Sequence, residues 1–340
     1  MSRNKNVWFF DEGFSPPSST LARKGVNLAV LAGHKVCVPP GFTLEFEIDE
    51  KAGDCPGVPA DVMDAAVAAL ASLEHQTGRQ FARAANPLLV SVRAAAEPSP
   101  SASPTGILNV GMNDEIVESL IALTGNPRFV YDCYRRFLAG LTREVLGLTV
   151  PPEPLDDRTL PEEGRLRAQC DRIRDLWRER TGAEFPQSPH DQFRLAVCAM
   201  TAHSHGCANA SVIVQCMVFG NMGADCGTGV AWSRSPVTGI LENGGVYLRE
   251  SQGDDLASHR RPTQSLAKLE ADDGRIARQL RLIRTTFDRF AGPDVLFEFT
   301  VERGKVYVLG WKQVAARSPR FAHRAANQPL GLVSSAILAA

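Results

Sequence analysis

Residues Val212–Gly239 read VIVQCMVFGNMGADCGTGVAWSRSPVTG, an apolar β-rich run that leads directly into a glycine-rich segment. The apolar run, Val212–Phe219, predicts a buried strand, and the glycines after it predict tight turns in which φ can be positive. Backbone N–H groups in such turns can approach an anion closely, and the hydroxyl of Thr228, which stands between two glycines, can hydrogen-bond a phosphate oxygen. The pattern fits a hairpin that faces a phosphate. A plain glycine-rich β-hairpin also fits it, and spacing alone favours the plain hairpin.

Length and charge set the broad class of the protein. A chain of 340 residues is long enough for more than one subdomain with its own core. Its net charge of −1 gives no reason to expect a nucleic acid or a membrane surface as a partner. The first residues, Met1–Asn6, are polar and precede only a short apolar patch, which matches neither a signal peptide nor a membrane span. We therefore expect a cytoplasmic protein that binds neither nucleic acid nor membrane.

The eight cysteines are scattered along the chain without a CxxC pair. In a reducing compartment we expect most of them to be small buried hydrophobic residues. The segment His203–Cys207, with Cys198 upstream, offers imidazole and thiolate groups of the kind that ligate Zn²⁺. Its spacing matches no standard zinc site, so we do not expect a metal there.

The pattern of apolar residues divides the chain into three parts. Residues 5–110 mix short strand patterns with helical ones, which predicts α+β structure. Residues 114–181 have helical periodicity, interrupted by the proline-rich Pro151–Pro154. Strand patterns return from Ser211, with one amphipathic helix predicted at Arg275–Phe290. Arginines in the helical part and in this last helix alternate with acidic and apolar residues, which predicts solvated helix faces.

Several short segments, in the same order along the chain, resemble the nucleotide-binding domain of the pyruvate phosphate dikinase family. They are Lys24–Ala29, Val38–Thr43, Leu88–Arg93, Asn113–Glu115, Leu123–Phe129, Tyr134–Phe137 and Val212–Gly239. Chance does not readily produce so many matches in register, and the resemblance covers residues 5–313.

The resemblance implies an α+β architecture, namely an ATP-grasp fold with an inserted all-helical subdomain. The corresponding divisions are residues 1–112 for the first part of the ATP-grasp body, 113–187 for the helical insert and 188–315 for the remainder. Residues 316–340 have no counterpart in the family, and we expect this tail to pack loosely or stay disordered.

In the family, this domain takes ATP and phosphate and passes a phosphoryl group to a histidine on a separate domain, which then serves pyruvate on a TIM barrel. No segment of the chain resembles the histidine-bearing domain or the barrel. The resemblance therefore implies an ATP-binding phosphotransferase module that phosphorylates a histidine supplied in trans. The alternatives are a degenerate relative that acts as a regulatory or partner-binding subunit, and a truncated remnant without activity.

Phosphoryl transfer needs cations and backbone donors at the phosphates, and carboxylates at Mg²⁺. By resemblance, the phosphate contacts are Lys24, Arg93 and Thr228, of which Arg93 and Thr228 are the catalytic candidates, and the other nucleotide contacts are Gln215, Met217, Val218, Gly227, Gly229, Glu298 and Lys312. Glu298 and Asp254 are the candidate ligands of the Mg²⁺ that accompanies ATP. The alternative for each of these candidates is that it has no role in binding and is an ordinary strand residue or a solvated charge.

The chain departs from the family at several of these positions. Ala95 replaces a glycine and Glu97 replaces an arginine, so that a carboxylate near the phosphates repels ATP unless it turns away. Leu296 replaces an aspartate expected to hold Mg²⁺. Gly310 replaces a glutamine, and Lys312 replaces an arginine, which keeps the charge but loses the bidentate fork. These changes keep both the phosphotransferase and the regulatory alternatives open.

Overall fold

The computed structural model describes residues 6–12, 23–49, 51, 55–95, 106–150, 161–204, 207–234, 244–258 and 261–314. These residues form helices and antiparallel sheets, which confirms the expected mixture of α and β structure. They cluster into two compact units. The first unit contains the described parts of residues 1–25, 40–96 and 105–217, and the second contains those of residues 26–39 and of residues 218 onward.

The first unit contains a five-stranded antiparallel sheet. Its strands are β1 (Val7–Phe9), β2 (Gly41–Glu47), β3 (Val90–Ala94), β4 (Gly106–Val110) and β5 (Asn209–Cys216), and their order in the sheet is β1-β2-β5-β3-β4. Because side chains alternate between the two faces of a strand, the sheet has an apolar face with Phe42 and Val214 and an opposite face with Thr43, Ser91 and Gln215.

Within its described residues, five helices belong wholly to this unit. They are α2 (Ala60–Thr77), α3 (Asp114–Thr124), α4 (Pro127–Leu146), α5 (Glu162–Thr181) and α6 (Pro189–Ala202), and a short 3-10 turn occupies Phe10–Glu12. The helical part predicted from residue 114 is confirmed, and α6 continues it. Pro151–Pro154 lies outside the described residues. Over the described ranges, none of the helices has the length and apolar character needed to cross a membrane.

Helix boundaries in this unit follow from capping residues in the sequence. Asn113 accepts a hydrogen bond from the Ile116 N–H group and begins α3, which ends at Gly125 in the left-handed conformation. Asn126 then caps α4, and Pro127 occupies its first turn, where no N–H group is needed. This succession of caps makes the junction between the two helices sharp.

A buried glutamine joins α6 to the turn that follows β4. The Gln192 side chain is fully buried, and its Oε1 accepts a hydrogen bond from the Gly111 N–H group at 3.1 Å. Its amide nitrogen donates to the carbonyl oxygens of Met112 and Pro186, each at 2.8 Å. The side-chain amide thus replaces backbone partners that this turn lacks, and it fixes α6 on the sheet.

The second unit is built on another five-stranded antiparallel sheet, of order β10-β9-β6-β7-β8. Its strands are β6 (Gly227–Trp232), β7 (Gly245–Arg249), β8 (Gln264–Ser265), β9 (Val295–Glu302) and β10 (Lys305–Gln313), and its helices are α7 (Gly253–Ser258), α8 (Leu266–Asp272) and α9 (Gly274–Phe290). Helix α1 (Arg23–Gly33) begins in the first unit and continues in the second.

The core of the second unit lies on one face of this sheet. Leu280 and Phe287 on α9 pack in one apolar cluster with Phe297 of β9, which confirms the predicted amphipathic helix. Strands β9 and β10 form a hairpin whose two turn residues, Arg303 and Gly304, both have positive φ, as a tight two-residue turn requires.

The hairpin predicted within Val212–Gly239 is wrong. Strand β5 pairs with β2 and β3 in the first sheet, whereas β6 pairs with β7 and β9 in the second. Residues 217–226 connect the two sheets instead of closing a turn. The partners β2, β3 and β9 lie far along the chain and β7 begins after Gly239, so spacing within the segment cannot indicate them.

One arginine of α9 is not on a solvated face. The Arg284 side chain is 2% exposed and forms an ion pair with Glu270 of α8, with Nη1 at 2.7 Å from Oε1. Its Nε donates a hydrogen bond to the carbonyl oxygen of Trp232 at 3.1 Å. The expectation of solvated arginines is therefore wrong at this position, where the helix turns its apolar stripe towards the sheet.

Two cysteines are not simple buried residues either. Cys55 and Cys198 form a disulfide that joins the segment before α2 to α6, with a separation of 143 residues. The other six cysteines form no disulfide. Burial raises the pKa of the Cys170 and Cys216 thiols to about 12, as expected of buried cysteines that behave as hydrophobic residues.

Candidate functional site

Two of the predicted site residues in the first unit share one face of its sheet. Arg93 on β3 and Thr43 on β2 both pair with Ile213 of β5. Gln215, two residues further along β5, pairs with Ser91. Since residues paired across antiparallel strands point to the same side, Arg93 and Gln215 lie on the same face of the sheet.

The residue after Lys24 packs against the same face. Lys24 lies in the first turn of α1, next to Gly25. Gly25 packs so closely on Thr43 that a Cβ atom at this position would overlap the Thr43 hydroxyl. Only a glycine allows this approach, which brings the start of α1 close to Thr43 on that face.

The backbone that follows Gln215 remains tied to the first sheet. The N–H group of Cys216 donates to the Pro40 carbonyl at 2.8 Å, and that of Met217 donates to the Leu89 carbonyl at 2.9 Å. Met217 is buried, and Val218 is half-buried. The segment is therefore an ordered continuation of β5.

The glycines on either side of Thr228 do not form a turn. They lie within β6, the central strand of the second sheet, where Thr228 pairs with Leu248 on one side and Thr300 on the other. A Cβ atom at Gly227 would overlap the ring of Tyr247, and one at Gly229 would overlap the ring of a phenylalanine on β9. The expected turn is thus wrong, because these residues form a strand whose glycines make room for aromatic rings.

The Thr228 hydroxyl already has an acceptor in the protein. Thr228 is 2% exposed, and its Oγ1 donates to the carbonyl oxygen of Phe299 at 3.2 Å. A hydroxyl has one proton to donate, so Thr228 cannot donate to a phosphate while it keeps this bond. The Thr228 hydroxyl can therefore donate to a phosphate, as the sequence predicts, only if its hydrogen bond to the Phe299 carbonyl is broken.

Several predicted site residues of the second unit share one face of the second sheet. Glu298 on β9 lies between Val230 of β6 and Gly310 of β10. Lys312 of β10 pairs with Leu296, the residue two positions before Glu298. Thr228 lies on the same face, since it alternates in phase with Val230. Glu298 and Lys312 are half-buried. We call this set of residues the Glu298 face.

Leu296 makes the end of this face apolar. Its side chain is 2% exposed and belongs to an apolar cluster. The other members of this cluster are Val230, Trp232, Val246, Leu248 and Leu256. A leucine packed in this way supplies neither charge nor an oxygen atom, and its neighbours exclude water from the position where the family resemblance implies an aspartate.

Of the two candidate magnesium ligands, the structure describes the side chain of Glu298, which lies on β9. Mg²⁺ prefers an octahedral set of oxygen ligands, and in the described parts of the chain no group of three or more His, Cys, Asp or Glu residues could hold a metal. The Asp254 side chain lies outside the description. Its neighbour Asp255 accepts a hydrogen bond from the Gln252 N–H group at 2.9 Å and so caps the start of α7.

The histidine- and cysteine-containing segment after α6 shows no zinc site in its described residues. Cys198 is bonded to Cys55. The Nε2 atom of His203 lies 2.8 Å from Oε2 of Glu144. Residues 205–206 and Glu97 lie outside the described ranges.

Glu302 is a residue that the sequence analysis missed. Its Oε2 accepts a hydrogen bond from the Phe219 N–H group at 2.7 Å. The next residue, Arg303, donates its N–H group to the Cys226 sulfur at 3.3 Å. Both bonds attach the connection between β5 and β6 to the β9–β10 hairpin. The alternation of polar residues along β9, in which Glu302 follows Glu298 and Thr300, is the signal that could have indicated it.

Comparisons with known proteins agree with the resemblance. The chain is 33% identical over 334 residues to the pyruvate, phosphate dikinase of Clostridium symbiosum, an alignment that covers 90% of this chain and 38% of that protein. It is 33% identical to the enzyme of the same name from Giardia intestinalis, with 90% and 39% covered, and 31% identical to the chloroplastic one from Flaveria pringlei, with 90% and 35% covered. No family model matches the chain.

These alignments include nearly the whole of the present chain but only a minor part of each relative. The chain spans between 35% and 39% of the length of these three relatives. It is therefore a homologue of one part of the pyruvate, phosphate dikinases.

Proposed function

We propose that this chain is a nucleotide-binding module of the phosphotransferase type, with an ATP-grasp fold, and that its ligand is ATP. The observation that carries the proposal is the Glu298 face, because residues of β6 lie side by side on one sheet with residues of the β9–β10 hairpin, which is distant from β6 in the sequence. Homology to the pyruvate, phosphate dikinases over nine-tenths of the chain supports it.

The proposed contacts divide according to their chemistry. Lys24, Arg93 and Lys312 are cationic and would neutralise phosphate charge, which is the main task of a protein in phosphoryl transfer. The uncharged and apolar contacts to the nucleotide are Gln215, Met217 and Val218, and Thr228 would join them if its hydrogen bond to Phe299 were exchanged. Glu298 completes the set as an acceptor for hydrogen bonds. Glu298 would also be a carboxylate for the Mg²⁺ that accompanies ATP, and the ion would neutralise phosphate charge.

The proposed reaction is transfer of a phosphoryl group from ATP to a histidine supplied in trans. The test combines isothermal calorimetry of ATP with labelling of an isolated phosphohistidine domain by radioactive ATP. We expect submillimolar binding and label on the histidine. Arg93→Gln should weaken ATP binding about tenfold or more, because it removes a charge-assisted contact. The matched control is Arg281→Gln on the exposed side of α9, which should leave binding unchanged.

A second candidate function is a regulatory or partner-binding module that keeps the fold without turnover. Leu296, packed in an apolar cluster, and Gly310, which has no side chain, are the observations that favour it. ATP binding without transfer to any phosphohistidine domain would support this candidate. Absence of ATP binding at millimolar concentration would contradict the nucleotide-binding proposal itself.

A further inference from the structure

We propose that helix α9 of one chain docks on helix α3 of a second copy of the same chain, through exposed leucines that stand among opposite charges. The contact uses none of the side chains assigned to the nucleotide. The inference therefore goes beyond the proposed function, and it holds or fails independently of ATP binding.

Two leucines are exposed where most large hydrophobic side chains are buried. Among the residues that the structure describes, the exposed large hydrophobic side chains are Leu123 on α3, at 59%, and Leu282 on α9, at 69%. A single exposed leucine is ordinary on a protein surface. An exposed leucine among charges of one sign, however, is suited to contact a surface of the opposite sign.

The side of α9 that carries Leu282 is basic. Arg278 and Arg289 are exposed and lie four residues before and seven residues after Leu282, so all three share one side of the helix. Asp288 is the one acidic residue in the sequence of α9, and it pairs with Arg234, with Oδ1 at 2.6 Å from Nε. Within the described residues, neither Arg278 nor Arg289 takes part in an ion pair.

The exposed side of α3 is acidic. Glu115 and Glu118 are exposed, and the sequence of α3 contains no basic residue. Asp114 at the start of the helix pairs with Arg174, with Oδ2 at 3.1 Å from Nη2. Among the described ion pairs, none includes Glu115 or Glu118. Helix α3 thus has an exposed leucine and carboxylates where α9 has an exposed leucine and guanidinium groups.

The spacing of the charges matches when the two leucines meet. With a rise of 1.5 Å per residue, Glu118 and Glu115 lie about 8 and 12 Å before the leucine of α3. Arg278 lies about 6 Å before the leucine of α9, and Arg289 lies about 10 Å after it. If the helices run parallel, Glu118 comes level with Arg278. If they run antiparallel, Glu115 comes level with Arg289, so either direction places an ion pair beside the leucines.

The contact is small, so the association should be weak. A standard interface buries about 800 Å² on each partner, and one side of an 11-residue helix, about 16 Å long, offers much less. Because the charges are exposed, salt should screen their attraction. We therefore expect a transient pairing of chains at low ionic strength.

The first measurement is sedimentation velocity of the full chain from about 1 to about 200 μM, at low salt and in about 0.5 M NaCl. The sedimentation coefficient should rise with concentration at low salt, and this rise should disappear in NaCl. Dependence on concentration identifies a second chain as the partner. A chain that stays monomeric at the highest concentration in low salt would overturn the inference.

Charge reversal identifies the two surfaces. The α9 variant combines Arg278→Glu with Arg289→Glu, and the α3 variant combines Glu115→Arg with Glu118→Arg. Each variant alone should self-associate about tenfold or more weakly than the parent, because like charges then face each other. A mixture of the two should associate about as well as the parent, since each reversed helix meets a complementary helix on the other chain. A mixture that stays monomeric would overturn the inference.

Two further variants separate the contact from a general effect of charge. Arg180→Glu with Lys268→Glu changes exposed residues outside α3 and α9 and alters the net charge as much as the α9 variant does. This control should self-associate as the parent does, and an equal loss in both would overturn the inference. Leu282→Asn leaves the net charge unchanged and should weaken self-association about tenfold. Unchanged association of this variant would also overturn it.

Discussion

The ring of Tyr247 stacks on the ring of Phe299, with centroids 6.1 Å apart and planes inclined by 7°. The two residues stand on β7 and β9, and both pair with Gly229 of the strand between them. The absence of a side chain at Gly229 leaves the space that the Phe299 ring fills. This stack explains the glycines of β6 by packing alone.

Gly229→Ala should therefore destabilise the fold by about 1–3 kcal/mol, because the added methyl group overpacks the ring. Denaturant unfolding measures the change. The control is Gly274→Ala at the start of α9, where a Cβ atom meets nothing within 4 Å, and its stability should stay within about 0.5 kcal/mol of the parent. Equal stability of the two variants would refute the packing explanation.

Arg284→Met should cost about 3–5 kcal/mol, because it leaves the Glu270 carboxylate buried without its cation. The double variant with Glu270→Met should recover most of this loss, since no charge then remains to be desolvated. The measurement is the free energy of unfolding of both single variants and the double variant. Arg281→Met, on the exposed side of the same helix, is the control. A double variant as unstable as Arg284→Met would contradict the expected coupling.

Removal of the Cys55–Cys198 disulfide should lower the free energy of unfolding by about 2–5 kcal/mol, because the bond closes a long loop in the unfolded chain. The variant is Cys55→Ser with Cys198→Ser, and the measurement is thermal unfolding with and without a dithiol reductant. The reductant should lower the melting temperature of the parent but not that of the variant. Cys207→Ser, which removes an exposed free thiol, should behave as the parent does. A parent insensitive to reductant would disprove the prediction.

The stability contributed by Glu144 should depend on pH. Burial alone would raise the pKa of this carboxyl group, but hydrogen bonds from His203 and Arg143 outweigh burial and hold the pKa below its ordinary value. A carboxyl group whose pKa is lower in the folded protein stabilises the fold above its unfolded pKa and loses this contribution as the pH falls through the folded pKa.

Glu144→Gln should accordingly cost about 1 kcal/mol at about pH 7, since His203 is partly exposed, and much less at about pH 3. Urea unfolding at both pH values measures the difference. Glu179→Gln, on the exposed side of α5, should show no such dependence. A loss of equal size at both pH values would exclude an electrostatic origin.

Local signals in the sequence predicted the helices well. The apolar periodicity of residues 114–181 predicted α3, α4 and α5; the caps Asn113 and Asn126 and the terminal Gly125 and Gly147, which bound α3 and α4 through short-range hydrogen bonds, were not used in that prediction. The apolar spacing of α9 likewise reflects a single helix face.

Pairing over long distances was not predictable in the same way. The spacing around Val212–Gly239 suggested a hairpin, but the partners of β5 and β6 lie elsewhere in the chain. The burial of Arg284 and the bond between Cys55 and Cys198 likewise depend on residues distant in sequence. For the site, sequence reasoning assembled Glu298 with Lys312, which share a face, but it misjudged the environment of Thr228.

The central place of β6 has a consequence for motion. Its residues from Gly227 to Ala231 pair with neighbours on both sides, so solvent reaches its amides only when the second sheet opens as a whole. Amide hydrogen exchange in this strand should be among the slowest in the protein. A ligand that binds at Thr228 therefore contacts a strand that can move only if β7 and β9 move with it.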